Sequence, residues 1–209
     1  MRIVHFICGP IANNCYLAVR DGESVLVDAP IGSMASYEKF TETSANELRG
    51  LLLTHGHWDH MAEAALFQKK YSVPVYANEG DLPMLLNPDA MRSYSVPAVE
   101  ILPCRPDVAV CDGDKLQLLG SEWIVRSVAG HTPGGVVYGV EDEKLLFSGD
   151  SLFRGTVGRS DLPGGNGELL IEQLLERVMS LPDWVNVLPG HGHTTTIGEE
   201  RRHNGHLKL

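Results

Sequence analysis

Three imidazoles and one carboxylate lie within six consecutive residues, His55-Gly56-His57-Trp58-Asp59-His60. From the composition of the chain, such a cluster is expected by chance in only about one sequence in a thousand. Two histidines in i and i+2 positions of an extended turn can aim at one cation, while Asp59 and His60 can turn towards a neighbouring one. Imidazole and carboxylate together suit zinc, iron or manganese better than magnesium or calcium. The cluster therefore predicts a transition-metal site.

Three later positions repeat the local context of this cluster. The apolar run Leu51-Leu52-Leu53 ends just before His55, and other apolar runs end just before His131, Asp150 and His191. Ligands of open α/β sheets bind beyond the carboxyl ends of strands. Seven candidate ligands at four strand ends are too many for one tetrahedral ion, so we expect two metal ions, with Asp150 able to bridge them. The candidate metal ligands are His55, His57, Asp59, His60, His131, Asp150 and His191.

Some of these residues also have simpler interpretations. Taken singly, His131 and His191 are typical of ordinary turn histidines, and Asp150 is typical of a turn or N-cap residue. The shared context of an apolar strand followed by glycine favours metal binding for all three. His193 either supports a ligand or points outwards. We expect no role in the site for His5, His203 and His206.

A pair of divalent ions suggests a hydrolytic reaction. Together two such ions lower the pKa of a shared water from 15.7 towards about 7, and they stabilise the oxyanion that forms when hydroxide adds to a carbonyl. No serine or cysteine nucleophile is then needed, and the sequence contains neither a G-x-S-x-G elbow nor a Walker A loop. The candidate catalytic residues are Asp59 and Asp150.

A glycine-rich stretch, residues 154–167, follows Asp150 closely and contains two arginines. Arg154 and Arg159 are candidate substrate-binding residues, because either guanidinium could hold a substrate carboxylate. The alternative is structural: an arginine here could pair with Asp161 or cap the following helix. Similarly, the glycine-rich stretch could line the substrate or be a flexible connection.

The charge and hydropathy of the chain exclude several partners. Seventeen Lys and Arg against 27 Asp and Glu give a net charge of −10, and no basic run offsets it, so we expect no nucleic-acid partner. The apolar runs are far shorter than the roughly 18–20 residues that cross a bilayer. The N-terminus does not resemble a signal peptide, so we expect a cytoplasmic protein that does not contact membranes. The four cysteines, Cys8, Cys15, Cys104 and Cys111, form no C-x-x-C pair and are expected to be free thiols.

Short apolar segments separated by turn residues predict an α/β domain in two halves. We expect helices at about 34–47, 60–70 and 167–179. A proline-rich linker, about 87–106, is expected to end regular structure and to join the halves. Five strands on each side suggest two packed sheets with helices outside, in a single domain spanning residues 1–209. The predicted strands are 3–7, 16–19, 24–27, 51–54 and 73–76, then 115–119, 123–128, 136–140, 145–147 and 185–188.

The candidate ligands lie in four motifs: Thr54-His55-Gly56-His57-Trp58-Asp59-His60, Gly130-His131-Thr132-Pro133-Gly134, Ser148-Gly149-Asp150-Ser151-Leu152-Phe153 and Pro189-Gly190-His191-Gly192. With these motifs the chain resembles the metallo-β-lactamase superfamily and, within it, the glyoxalase II (hydroxyacylglutathione hydrolase) branch. The early segments Asn13-Asn14-Cys15-Tyr16 and Val27-Asp28 are also similar to this family, so the resemblance covers nearly the whole chain.

This resemblance implies a four-layer αββα sandwich with a dinuclear site. His55, His57 and His131 would hold one metal ion, and Asp59, His60 and His191 would hold the other. Asp150 and a hydroxide would lie between the two ions. The implied reaction is hydrolysis of a small-molecule thioester, such as S-lactoylglutathione, to a hydroxy acid and the thiol. Zinc is the expected metal, with iron or manganese as alternatives.

The chain departs from full-length glyoxalase II at two places. The helical domain that supplies basic residues for glutathione is not expected here, since the chain ends at Leu209. The family's Lys and Tyr after the bridging Asp fall at Arg159 and Asp161. The segment 155–167 and the C-terminal segment are instead similar to short, single-domain glyoxalase II-like proteins.

A second reaction class shares the same fold. Persulfide dioxygenases are similar in their ligands but use one iron, here held by His55 or His57, His131 and Asp150, to oxidise glutathione persulfide with O₂. The glycine-rich stretch is closer to the short hydrolases, which favours hydrolysis. A metal-binding protein without catalysis is disfavoured by the full ligand set. No feature favours a lactonase or a β-lactamase.

Overall fold

Two six-stranded sheets form the centre of the computed structural model, which describes residues 1–94 and 99–208. In the first sheet the strands lie side by side in chain order, antiparallel up to β3 and parallel from β3 onwards. Its strands are β1 (Arg2–Cys8), β2 (Asn13–Arg20), β3 (Glu23–Val27), β4 (Glu47–Leu52), β5 (Val75–Ala77) and β6 (Val108–Ala109).

The second sheet has the order β14-β13-β10-β9-β8-β7, with β10 and β13 parallel. Its strands are β7 (Lys115–Leu118), β8 (Ser121–Ser127), β9 (Val136–Val140), β10 (Leu145–Gly149), β13 (Asn186–Pro189) and β14 (Thr195–Thr196). A small hairpin of β11 (Leu152–Phe153) and β12 (Thr156–Val157) follows β10. The pairs β7–β8, β8–β9 and β9–β10 are antiparallel.

Helices cover the outer faces of both sheets. On the first sheet lie α1 (Ser33–Thr43), α2 (Trp58–Met61), α3 (Ala64–Tyr71) and α4 (Leu82–Leu86), together with 3₁₀ turns at Glu79–Asp81 and Pro88–Tyr94. On the second lie α5 (Gly167–Gln173), which continues as a π-helical turn over Leu174–Val178, and α6 (Ile197–His203), followed by a 3₁₀ turn at Gly205–Leu207. No helix in the described ranges is both long and apolar enough to span a membrane.

Side-chain alternation along the strands explains the four layers. On β2, Tyr16 and Ala18 face the second sheet and pack with Trp123 and Phe147, whereas Leu17 points to the opposite face, in the same cluster as Tyr37 of α1. A third apolar cluster joins the outer face of the second sheet to α5 and α6. Because both faces of each sheet are buried, the strands read as apolar runs. The αββα sandwich expected from the sequence is confirmed.

The helix bounds differ from the sequence prediction in two places. The helix predicted at 34–47 ends at Thr43, because Glu47–Leu52 forms β4 and pairs with β3. The helix predicted at 60–70 is two helices, α2 and α3, interrupted at residues 62 and 63. The N–H of Glu63 bonds to the carbonyl of Ala29, and this contact lies at the break.

The expected linker, 87–106, does not lead directly to the second half. Regular structure continues into it as the 3₁₀ turn Pro88–Tyr94, and the chain then returns to the first sheet as β6. Residues 95–98 of this linker lie outside the described residues. The crossing to the second sheet follows β6, and each sheet has six strands rather than five. The two extra strands, β6 and β14, are each two residues long, too short to show a period.

The four cysteines are free thiols, as the sequence predicts. Cys8, Cys15 and Cys104 are buried, and Cys111 is exposed. Burial raises the pKa of the Cys104 thiol to about 12 and that of Cys15 well above its usual range. These buried thiols therefore serve as small apolar side chains of the core.

Candidate metal centre

The seven predicted ligands converge at one edge of the sandwich. β4 ends at Leu52, so His55 and His57 lie in the loop that follows it, and Asp59 and His60 lie on the short helix α2. His131 lies in the β8–β9 loop, and Asp150 and His191 follow β10 and β13. All are buried except Asp150 and His191, which are partly exposed. The structure thus brings together residues that are up to 136 positions apart in the chain.

Nitrogen atoms of His55, His57 and His131, here called the first group, lie within 4.8 Å of one another. Nδ1 of His57 is 2.9 Å from Nε2 of His131. The ring of His131 donates from Nδ1 to the carbonyl of Arg159 at 2.7 Å, so its Nε2 carries the free lone pair. This tautomer directs a ligand atom towards the other two histidines.

The ring of His55 is oriented by a chain of hydrogen bonds. The hydroxyl of Thr54 donates to the carboxylate of Asp28 at 2.8 Å, and it therefore accepts from Nδ1 of His55 at 3.1 Å. Nε2 of His55 is buried and has no hydrogen-bond partner among the residues that the structure describes. A buried ring nitrogen in this state fits a metal ligand, since burying an unpaired polar atom is otherwise costly.

Ligand atoms of Asp59, His60 and His191, here called the second group, also lie within 4.8 Å of one another. Oδ2 of Asp59 is 3.2 Å from Nε2 of His191 and 3.4 Å from Nε2 of His60. A tetrahedral ion with bonds of about 2.0–2.1 Å separates its ligands by roughly 3.3–3.4 Å. The spacing of the second group therefore fits a transition-metal ion.

Asp150 lies between the two groups. Its Oδ1 is 3.2 Å from Nε2 of His60. Its Oδ2 is 3.5 Å from Nε2 of His191 and 3.7 Å from Nε2 of His131. One carboxylate thus faces ligands of both groups, and the cluster as a whole fits a binuclear metal site.

The electrostatics of the cluster favour cations. Burial and the neighbouring imidazoles lower the pKa of His55 well below its usual value and that of His57 to about 3, so both rings are neutral and can bind a metal. Burial opposes a charge on His60, but Asp150, Asp59 and Asp28 raise its pKa well above the usual value. Since Nδ1 of His60 donates to Asp28, Nε2 is the atom that takes either a proton or a metal ion.

Comparison with known proteins agrees with this geometry. The family model described as the metallo-beta-lactamase superfamily matches residues 8–191. The chain belongs to the metallo-β-lactamase superfamily.

Three similar proteins are informative. The hydroxyacylglutathione hydrolase GloC of Haemophilus influenzae is 32% identical, over 93% of this chain and 92% of GloC. The solved structure of the BLEG-1 B3 metallo-beta-lactamase has a TM-score of 0.90 and 31% identity, covering 100% of both chains. TTHA1623, solved in a di-iron-bound form, has a TM-score of 0.86 and 34% identity, covering 97% of this chain and 98% of its own.

The superfamily site opens into a cavity of about 480 Å³. Five of the seven candidate metal ligands line this cavity, together with four apolar side chains: Ile11, Trp58, Phe153 and Leu162. Among the residues that the structure describes, Arg159 is the one arginine or lysine that lines this cavity. The cavity therefore offers apolar side chains and one guanidinium beside the candidate metal ligands.

The two candidate substrate-binding arginines differ in position. Arg159 lines the cavity, but its Nε and Nη2 each donate to a carboxylate oxygen of Asp161 at 2.7 Å. Both side chains are exposed, by 61% and 67%. Arg154 is exposed and is absent from the cavity lining in the described part of the chain. The structure thus places Arg159 at the cavity and pairs it with Asp161, an alternative that the sequence left open.

The structure also places the other histidines. His193 is exposed, and His203 lies 3.2 Å from Glu199 on α6. His5 is exposed, and its Nε2 is 2.7 Å from the amide oxygen of Asn14. None of these rings belongs to the ligand groups of the described residues.

Residues that support the ligands were not singled out as functional by sequence reasoning. Asp28 accepts hydrogen bonds from the N–H and hydroxyl of Thr54 and from His60. It follows β3 directly, so the same strand-end context that pointed to the ligands could have indicated it. Asp81 and Asn13 are also in contact with the site. No local pattern marks Asp81, which ends a 3₁₀ turn that runs directly into α4.

Proposed function

We propose that the protein is a metal-dependent hydrolase of thioesters, of the glyoxalase II type, which converts S-lactoylglutathione to lactate and glutathione. The observation that carries the proposal is the position of Asp150 between two complete ligand groups. The similarity to GloC of Haemophilus influenzae, which is named as a hydroxyacylglutathione hydrolase, supports the substrate class.

The proposed site holds two divalent ions. His55, His57 and His131 would hold the first, Asp59, His60 and His191 the second, and Asp150 would contact both. Such a pair of ions supplies hydroxide at neutral pH and stabilises a developing oxyanion. We propose zinc because nitrogen and carboxylate ligands suit it, and the di-iron form of TTHA1623 makes iron the main alternative.

The chain's own residues would then bind and orient the substrate. The apolar walls formed by Trp58, Phe153 and Leu162 would pack on the acyl group and exclude bulk water from the reacting carbonyl. Arg159 would hold a carboxylate of the substrate, in competition with Asp161. The chemistry is thus assigned to the metal ligands, and substrate selection is assigned to Arg159 and the apolar lining.

Two other activities of this fold are alternatives. A mononuclear-iron persulfide dioxygenase would need only His55 or His57, His131 and Asp150. Both reaction classes share these ligands, so the ligand set does not separate them. The glycine-rich stretch, which is closer to the short hydrolases, and the similarity to GloC favour hydrolysis. Similarity to the BLEG-1 B3 metallo-beta-lactamase makes β-lactam hydrolysis the other alternative.

One set of assays on purified protein tests the proposal. We expect close to two metal ions per chain, hydrolysis of S-lactoylglutathione, and loss of turnover in His57→Ala and Asp150→Ala. Oxygen uptake with glutathione persulfide and turnover of a chromogenic β-lactam are measured on the same preparation. One iron per chain with oxygen uptake and no thioester hydrolysis would overturn the proposal in favour of the dioxygenase. Turnover of the β-lactam alone would overturn it in favour of a lactamase.

A further inference from the structure

The carboxamide of Asn13 lies against the second group. Asn13 is the first residue of β2, and its side chain is 1% exposed. Its Nδ2 donates to Oδ2 of Asp59 at 2.7 Å and lies 3.3 Å from Nε2 of both His60 and His191. One amide nitrogen is therefore in contact with every member of the second group.

The orientation of this amide is determined by its neighbours. The reverse orientation would place the amide oxygen against a carboxylate oxygen, and two acceptors repel each other. A hydrogen bond from an amide to a carboxylate is charge-assisted and short.

The backbone around Asn13 is tied to the same site. Asn13 forms a β-bridge with His191, and the N–H of Asn14 donates to the carbonyl of Gly190 at 2.7 Å. The amide of Asn14 donates to the carbonyls of Pro189 and Gly192. The start of β2 is thus fixed to the loop that carries His191, and Asn13 has little freedom to move away from Asp59.

We propose that Asn13 is a positioning residue of the second group: its amide holds the carboxylate of Asp59 beside His60 and His191 and so sets the affinity of that group for a metal ion. The first group has no such contact with Asn13 among the hydrogen bonds of the described residues. Removal of the amide should therefore weaken the binding of one metal ion and leave the binding of the other unchanged. The proposal rests on the proposed two-ion site and is independent of the substrate.

Metal titration of the full chain tests this role. Metal-free wild type, Asn13→Ala and Asn13→Leu are titrated with Zn²⁺ against a chromophoric chelator, which gives an affinity for each ion. The titration is repeated with Co²⁺, whose d–d absorption reports the coordination of the ions as they bind. Asn13→Leu removes the donor but fills its space, which separates loss of the hydrogen bond from a cavity. Asn186→Ala, at an exposed asparagine of β13, is the matched control.

We expect two ions in wild type and in Asn186→Ala. In both Asn13 variants we expect one ion to bind with wild-type affinity. The affinity for the other ion should fall by about 10- to 100-fold, the usual effect of removing such a supporting contact. Unchanged affinity for both ions would overturn the role of Asn13 alone. An equal loss of affinity for both ions would also overturn the role of Asn13, because a general folding defect has that effect. Fewer than two ions in wild type would overturn the two-ion site and the role of Asn13 together, whereas two ions without thioester hydrolysis would count against the proposed substrate only.

Discussion

The carboxylate of Asp81 accepts a hydrogen bond of 2.7 Å from the backbone N–H of Gly56, which lies between the ligands His55 and His57. The same carboxylate accepts from the N–H of Gly134 at 2.7 Å and from the hydroxyl of Thr132 at 2.8 Å, in the loop that carries His131. A single buried side chain thus joins the two loops that supply the first group.

Replacement of Asp81 by alanine should destabilise the fold and weaken the first group. The N–H groups of Gly56 and Gly134 would be left buried without acceptors, and each such donor costs about 1–3 kcal/mol. Urea unfolding of the metal-free protein measures the loss of unfolding free energy. Asp161→Ala, at an exposed position, is the matched control and should change stability little. An unchanged urea midpoint for Asp81→Ala would contradict this account.

Asp28→Asn should lower metal affinity and activity rather than abolish folding. The amide can still accept from Thr54, but it cannot replace the charge-assisted bond that the Nδ1–H of His60 makes at 2.8 Å. Loss of a carboxylate behind a metal-binding imidazole typically costs about 10- to 100-fold in metal affinity or activity. Zinc titration and the kcat/KM for S-lactoylglutathione measure the effect. Asp107→Asn, whose carboxylate accepts from Val75 far from the site, should leave both values unchanged.

Asp161→Asn should improve the binding of anionic thioesters. The pair with Asp161 competes with the substrate for Arg159, and exposed ion pairs of this kind correspond to about a 1.5- to 5-fold change in an equilibrium constant. We expect KM for S-lactoylglutathione to fall by that factor with kcat unchanged, and Arg159→Ala to raise KM. An uncharged thioester is the control, and equal changes in its KM would show that charge is not the cause.

The same pair makes a prediction for pH. Arg159 lowers the pKa of Asp161 to about 2. A depressed carboxyl pKa means that the pair is present above the ordinary aspartate pKa and is lost only as the pH falls towards 2. The KM ratio of wild type to Asp161→Asn should therefore be constant between pH 5 and 8. A ratio that varies over this range would show that Asp161 is not ionised as proposed.

Gly190→Ala should damage the metal site directly. A Cβ at this position would lie 2.3 Å from Oδ1 of Asp150 and 2.5 Å from Cε1 of His60, so one of the two ligands must move. We expect loss of at least one bound ion by elemental analysis and a fall in turnover of more than about 10-fold. Gly205→Ala is the control, because a Cβ there meets nothing within 4 Å. Full metal content in Gly190→Ala would contradict the geometry of the site.

Much of this site was predictable because its ligands follow local rules. His55 to His60 form a dense cluster, and His131, Asp150 and His191 each follow an apolar run and a glycine. Strand ends meet at one edge of a sheet, so a local pattern is enough to suggest that such residues converge. The αββα fold was accessible for a similar reason, since strands buried on both faces are visible as apolar runs.

Other features depended on contacts that leave no local trace. The two-residue strands β6 and β14 are defined only by their pairing with β5 and β13. Asp81 acts through backbone N–H groups, which every residue possesses, so its partners cannot be read from residue types. Whether Arg159 faces the substrate or Asp161 depends on the path of an exposed loop.

The sequence by itself determined which side chains could bind metal ions, because residue type sets ligand chemistry and strand ends set direction. Only the tertiary structure decided how closely the seven side chains approach one another and which neighbours orient them. Asn13 illustrates the reason: its amide reaches Asp59 only because β2 is bridged to the loop of His191, 178 residues later in the chain. Distances between such segments follow from sheet register and core packing, which are properties of the whole fold.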